Sequence, residues 1–245
     1  MAVQPSVRRG FEPQDPEWFS GPGLVRLQAA HEEILWLLDR NYSLDSVIPV
    51  VGGHHQLSAR QRIALQRAAA SRQACVLRHI KQMTPDAAKG GPLVIDGFNL
   101  LITLETAWSG SLLIRGADGV LRDLAGLRGT YRVISQTDRA IDLLGQGLQE
   151  LQVQSALIYL DAPVSNSGRL RQRILERSAA WQIPVDVLLV PNPDSLLIQH
   201  ERVVSSDSVI LDRCASWLNL ADLLVVAHIP QAWVVDLGRH DLAGP

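Results

Sequence analysis

The chain has 245 residues, 47% of them hydrophobic and 20% charged, with a formal net charge of -2; that length and balance allow a sizeable buried core and exclude wholesale disorder. No apolar run approaches the roughly 20 residues a membrane span needs, and the opening Met1-Ala2-Val3-Gln4-Pro5 lacks the basic-then-apolar pattern of a secretory leader, so a cytoplasmic protein is expected. Two cysteines, Cys75 and Cys214, are too few for a zinc cluster without histidine and read as core thiols.

The small net charge hides an asymmetry. Over residues 54–90 Lys and Arg outnumber Asp and Glu seven to one, against four to seven in residues 1–53 and twelve to seventeen in residues 91–245. A compact basic block beside an acidic region suggests a polyanionic partner; a solvated helix face is the competing reading.

In chain order, residues 1–21 show no periodicity and are expected as a flexible arm. Residues 22–84 read as a helical basic module. Its first helix carries Leu27, Ile34, Leu35, Leu37 and Leu38 and ends near Asn41, Ser43 caps a second, and Gly52-Gly53-His54-His55 breaks the chain. Ser58 and Gln61 have the spacing of a capping box and open a third helix, predicted to run over residues 59–82 with Ile63, Leu65, Ala69, Val76, Leu77 and Ile80 on its apolar side. Arg60, Arg62, Arg67, Arg72 and Arg78 occupy the remaining faces, which suits a helix-turn-helix-like module touching phosphate. Residues 85–92 read as a linker.

Residues 93–245 alternate strand and helix, which predicts an α/β domain on a mostly parallel sheet. The strand Leu93-Val94-Ile95-Asp96 is followed by a hairpin at Asp118-Gly119, a helix over residues 131–152, the strand Ala156 to Asp161, a helix over residues 165–181, the strand Val185 to Val190, the strand Arg202 to Asp207 and a helix over residues 209–218. Residues 223–226 and 232–235 are expected to close the sheet.

Three of these strands end alike, in Ile95-Asp96, Leu160-Asp161 and Ser206-Asp207. In a parallel sheet such ends share one edge, where ligands collect, and carboxylates crowded there raise one another's pKa or recruit a hard dication such as Mg²⁺ or Mn²⁺. The competing reading is that each Asp caps the helix after it.

Ile95-Asp96-Gly97-Phe98-Asn99, with the late Ser205-Ser206-Asp207, resembles the PIN-like (NYN-type) nuclease fold, whose motifs read I-D-G-x-N and S-x-D; the likeness covers roughly residues 92–236. The preceding helical region resembles a small uncharacterised domain found before such modules in bacterial and archaeal proteins. The resemblance implies neighbouring first and fourth strands, and metal-assisted cleavage of RNA. It also implies roles: Asp96 and Asp207 as ligands of Mg²⁺ or Mn²⁺, Asn99 orienting a water or a ligand, Ser205 hydrogen-bonding a carboxylate, and Asp161 as a third acid. The pattern departs from the family in lacking a further acid on the helix after the first strand. Asp138 and Asp142, four apart on one helix face, and Asp212 are the substitutes.

Arg115, Arg122, Arg128 and Arg132, then Arg169, Arg171, Arg173 and Arg177, flank this acidic centre. Together with Arg60, Arg62 and Arg67 they are candidate contacts for an RNA backbone, since guanidinium forks grip phosphate oxygens in pairs; surface ion pairing with Glu150, Glu176 and their neighbours competes. No G-x-x-x-x-G-K-[ST] and no strand-borne G-x-G-x-x-G occurs, so no nucleotide cofactor is expected. His54-His55 reads as a polar loop. The expected function is a metal-dependent ribonuclease. A catalytically degenerate RNA-binding or assembly factor, a small-substrate metal-dependent phosphatase and a purely protein-binding partner are the alternatives, and the oligomeric state stays open.

Overall fold

Hydroxyl side chains cut the N-terminal third into helices. The computed structural model describes residues 7–126 and 129–238. It opens with α1 (Asp15–Trp18) and α2 (Gly21–Leu38), after which Ser43 starts α3 (Leu44–His54), Ser58 starts α4 (Ala59–Ala68), Ser71 starts α5 (Arg72–Lys81) and Thr84 starts α6 (Pro85–Ala88). Each of these four side chains accepts from an amide three residues on, the geometry that satisfies an otherwise orphaned donor. At Ser58 the predicted capping box is complete, with the Gln61 side chain accepting in return from the Ser58 amide at 3.1 Å.

Three expectations fail here. The helix predicted over residues 59–82 is two helices, because Ala69 turns extended and Ser71 caps a fresh start. The break starts α5 afresh, and its Val76, Leu77 and Ile80 are exposed instead of buried, as is Ile63 of α4. The break expected at Gly52-Gly53-His54-His55 falls at the end of that run, α3 continuing through both glycines to His54 with His55 as its cap; a Cβ on Gly52 would meet the Arg62 side chain at 3.0 Å, so the glycine admits that guanidinium. Residues 7–19, expected in the arm, are packed: Phe19 is fully buried and Asp15 is paired with Arg60.

The α/β region follows as β1 (Pro92–Asp96), α7 (Gly97–Trp108), β2 (Leu113–Arg115), β3 (Leu121–Asp123), α8 (Thr137–Glu150), β4 (Ser155–Asp161), α9 (Ser167–Ser178), β5 (Val185–Val190), α10 (Pro193–Leu197), β6 (Val203–Val204), α11 (Ser208–Arg213), α12 (Leu220–His228) and β7 (Val234–Asp236). Four strands form a parallel sheet in the order β5-β4-β1-β6. Its first strand therefore lies beside its fourth, through Val94 with Val203 and Ile95 with Val204. The Asp-Gly hairpin forms, but β2 and β3 join β7 in a second sheet. Residues 223–226 lie in α12, and the strand near residues 232–235 pairs with β2 instead of closing the main sheet. Tyr131, expected at a helix start, precedes α8 and is buried with its hydroxyl on Glu105.

The principal core fills the space between the main sheet and its helices, with Leu93, Ile95, Leu101, Leu104, Ile141, Leu144, Ile158 and Leu170 among its members. A second core joins the N-terminal helices to the small sheet: Leu27, Ile34 and Leu65 cluster with Leu112, Ile114, Val235 and Leu237. At roughly 1.5–3 kcal/mol for each fully buried aliphatic side chain, that shared cluster holds the helical module to the α/β region more strongly than a linker would.

Arg78 adds a polar tie. Only 5% exposed, it reaches Asp118 in the β2–β3 hairpin at 2.6 Å and Asp212 of α11 at 2.7 Å. Removing one partner of a buried pair costs about 3–5 kcal/mol. Because Arg122 remains 2.7 Å from Asp118, Arg78→Ala should cost about 3 kcal/mol, the lower end of that range. Urea denaturation with an unchanged m-value measures this, and a loss below about 1 kcal/mol would show that the tie is dispensable.

Candidate functional site

Asp96 ends β1 and begins α7. Its Oδ1 accepts from the Asn99 amide at 3.4 Å and its Oδ2 from the Ser205 hydroxyl at 2.9 Å. Asn99 in turn accepts from both the amide and the hydroxyl of Ser206 at 2.9 Å, which pins the first turn of α7 to the segment after β6. The Asp207 amide donates to Ser205 Oγ at 3.1 Å, while Asp207 Oδ1 accepts from the Val209 and Ile210 amides and caps α11. Asp96 and Asp207 are thus helix caps, as the competing reading had it, and they also face one crevice. Gly97 allows the approach: a Cβ there would meet Leu160 at 2.6 Å and Ile158 at 2.7 Å.

The crevice, about 560 Å³, lies at the carboxyl edge of the main sheet and is lined by five aspartates: Asp96, Asp123, Asp161, Asp194 and Asp207. Ile63, Gln66 and Arg67 of α4 are part of its lining, so both sequence modules contribute to one site. Burial pushes the Asp96 carboxyl up to about 7, helped by the charges of Asp194 and Asp161 and opposed by the bonds from Ser205 and Asn99. Asp161 and Asp194 are also raised, each mainly by desolvation, and Asp194 further by Asp207 and Asp161. Asp123 and Asp194 were missed by sequence reading. Asp123 ends β3 in the same strand-then-acid pattern, just past the stretch read as a hairpin. Asp194 follows Asn192-Pro193, a helix-start signal just past β5.

Elsewhere this protein neutralises buried acids with arginine. Glu105 has Arg9 at 2.7 Å, Asp15 has Arg60 at 2.6 Å, and Asp118 has Arg78 and Arg122 at 2.6 and 2.7 Å. In the crevice Arg67 stands near Asp123, 3.4 Å away, whereas the buried Asp96 has no cationic side chain in salt-bridge range among the described residues, and neither have the half-buried Asp161 and Asp207 or the exposed Asp194. An oxygen-only donor set of this kind suits a hard dication. No three crevice aspartates bring carboxylate oxygens within 4.8 Å of one another among the described residues, so the side chains as placed do not form a closed three-carboxylate cage, and an ion there would have to keep several of its waters.

Several predicted site residues lie elsewhere. Asp138 and Asp142 pair with Arg173 and Arg177 on the α8–α9 surface, and Asp212 is held by Arg78; none lines the crevice. Arg60 is spent on Asp15 and two backbone carbonyls, Arg62 on the carbonyls of Gly52 and Leu57, and Arg171 on that of Val187. The basic block is therefore largely a set of internal ties, and Arg67 is the member that reaches the crevice. Arg132 and Arg169 are exposed outside the crevice lining, and Arg128 lies outside the described residues.

Residues 85–223, which carry all five aspartates, match the family described as a domain of unknown function, DUF5616, and residues 26–81, which carry Arg67, match a protein family of unknown function, DUF434. The chain belongs to the DUF5616 family. A curated relative, the uncharacterized protein MJ0935 of Methanocaldococcus jannaschii, is 35% identical over 187 residues, covering 76% of this chain and 89% of the relative. No solved structure matches.

The raised Asp96 pKa fixes a pH dependence. A folded-state value near 7 against an ordinary value of 3.8 means that the fold favours the protonated acid. That contribution is complete below about pH 4 and is lost as pH rises through about 7. Metal-free wild type should therefore lose stability relative to Asp96→Asn between pH 5 and 8, by on the order of 2–4 kcal/mol. Urea midpoints of both proteins in chelator report this, and parallel pH profiles would contradict it.

Proposed function

We propose that this member of the DUF5616 family is a divalent-metal-dependent ribonuclease of PIN-like fold that hydrolyses RNA phosphodiesters at the acidic crevice. The observation that carries the reading is the set of aspartates converging, largely without arginine partners among the described residues, on the edge where β1 and β6 meet. Asp96, Asp207 and Asp161 would hold Mg²⁺ or Mn²⁺. Such an ion supplies Lewis acidity toward a phosphate oxygen and a lowered pKa for an attacking water.

The chain's own residues do the positioning. Ser205 orients the Asp96 carboxylate, and Asn99, locked by Ser206, fixes the first turn of α7 beside it. Arg67 is about one-third exposed, so its guanidinium can grip a phosphate oxygen across from the acids. Ile63 and Gln66 offer a partly apolar rim to a base or sugar. Among the described residues no helix is long and apolar enough to cross a membrane, in keeping with a cytoplasmic RNA substrate.

The wide spacing of the carboxylate oxygens favours one second reading, an RNA-binding factor that has lost catalysis. Calorimetric Mn²⁺ titration and incubation with a mixed RNA pool separate the two. The nuclease reading expects Mn²⁺ binding and cleavage that chelator abolishes, both falling at least a hundredfold in Asp96→Asn, Asp207→Asn. In Arg67→Ala, cleavage should fall about tenfold through weaker RNA affinity, with a shallower salt dependence. RNA binding without metal uptake or cleavage would establish the binding factor instead. Turnover confined to a small phosphomonoester would establish a phosphatase.

A further inference from the structure

The end of α3 holds a feature that neither the crevice nor the fold explains. His54 is the last residue of α3 and His55 its C-cap; α2 places Glu33 opposite them. Glu33, His54 and His55 each offer one ligand atom, and these three atoms all lie within 4.8 Å of one another, a grouping not met elsewhere among the described residues. His55 Nε2 is 3.0 Å from Glu33 Oε1, and the two imidazoles stand edge to face with centroids 5.0 Å apart.

The turn that carries the histidines is held by other groups. The Gln56 amide donates to the Gly53 carbonyl and the Leu57 amide to the Gly52 carbonyl, which closes the helix end. Arg62 then donates from Nε to the Leu57 carbonyl and from Nη2 to the Gly52 carbonyl, both at 3.1 Å. With the backbone fixed this way, neither imidazole is needed to shape the turn. His54 and Glu33 are exposed, and His55 retains 14% of its side-chain surface, so the group is open to solvent.

We propose that Glu33, His54 and His55 form a binding site for a zinc-class transition-metal ion, separate from the acidic crevice. Two imidazoles and one carboxylate are a mixed nitrogen and oxygen set of the kind zinc takes, whereas magnesium and calcium prefer oxygen alone. The three side chains would leave a fourth tetrahedral position for water or another donor. Small side-chain rotations bring ligand atoms already within 4.8 Å to the spacing of a shared ion. Because Glu33 lies 22 residues before His55, the ion would clasp α2 to the end of α3 and close that stretch of chain, stabilising the helical module when bound.

An ion pair between His55 and Glu33 accounts for two of the three side chains and leaves His54 without a role, so His54 is the discriminating position. The test is calorimetric titration of the chelator-treated full chain with Zn²⁺ alone, in wild type, in the Asp96→Asn, Asp207→Asn crevice variant, and in that variant carrying His54→Ala, His55→Ala or Glu33→Gln. Co²⁺ absorption spectra and the melting temperature across a Zn²⁺ series accompany it. The expected result is a saturable Zn²⁺ site that is retained in the crevice variant and is weakened there at least about tenfold by each of the three single substitutions. It comes with intense visible Co²⁺ bands and a melting temperature that rises with Zn²⁺ in the crevice variant but not when that variant also carries His54→Ala. No saturable binding, binding in the crevice variant that survives His54→Ala, or binding lost with the crevice variant would each overturn the proposal. His54→Ala alters an exposed helix end, so unchanged far-ultraviolet dichroism confirms that any loss of Zn²⁺ reflects the ligand and not the fold.

Discussion

Three hydrogen bonds from the segment after β6 hold the crevice together: one from Ser205 to Asp96, and two from Ser206 to Asn99. All cross to the start of α7, and the Ser205–Asp96 bond is shielded from water, so it is worth more there than it would be at the surface. They fix the register of the two helix starts as well as the direction of the Asp96 carboxylate. Asp207 is tied to the same group through its amide on Ser205. A slip of one residue in β6 would turn Ser205 to the opposite face and leave a buried carboxylate with a single donor, a penalty that reinforces the pairing of Val94 with Val203.

The helical module and the α/β region depend on each other through this arrangement. The shared core places α4 against the small sheet, and α4 in turn carries Arg67 to the crevice. Arg67 also donates to the Asp123 carbonyl, which joins the wall formed by α4 to the end of β3. The basic block that the sequence displays is therefore mostly internal architecture. Arg60 binds the segment around Asp15, Arg62 closes the end of α3 and Arg78 joins the hairpin to α11. Charge counted along a chain does not separate arginines facing solvent from those spent on carbonyls and acids of the same molecule.

That difference explains what could be read in advance. The ends of β1 and β4 at Asp96 and Asp161 were legible because an apolar run stops at an acid, whereas β6 ends at Val204 and Asp207 lies beyond it as the cap of α11; the adjacency of the first and fourth strands matched what the resemblance implied. Asp96, Asn99, Asp161 and Asp207 accordingly come together in the crevice lining. The break after Ala68 was not legible, since Ala69 and Ala70 are good helix formers and it is Ser71 that ends the run by capping a new helix. The packing of Phe19 and Asp15 was hidden because a short segment shows no period. Asp194 was obscured because it sits past the end of β5, on the next helix start. Asp138 and Asp142 were misplaced for the reverse reason: their spacing said which helix face they share, and nothing about the Arg173 and Arg177 that stand opposite.

The contrast among buried acids bears most directly on function. Glu105 is completely buried, yet it has Arg9 at 2.7 Å and the hydroxyls of Tyr131 and Thr137 as donors, so its environment is complete. Asp118 is held well below the usual carboxylate range: desolvation works against that, and the charges of Arg122 and Arg78 prevail. Asp96 is similarly buried and has only two neutral donors, and the acids nearest it push its pKa the same way as desolvation does. A fold that supplies an arginine to each of those other acids, and leaves four aspartates on one sheet edge without one among the described residues, keeps a local deficit of positive charge. At Asp96, whose carboxyl burial pushes up to about 7, that deficit disfavours the ionised state at neutral pH unless a cation from outside offsets it. The same deficit makes the empty-handed carboxylates good ligands for a hydrated dication and poor company for a phosphate on their own, so the proposed ion and Arg67 have complementary tasks in one crevice.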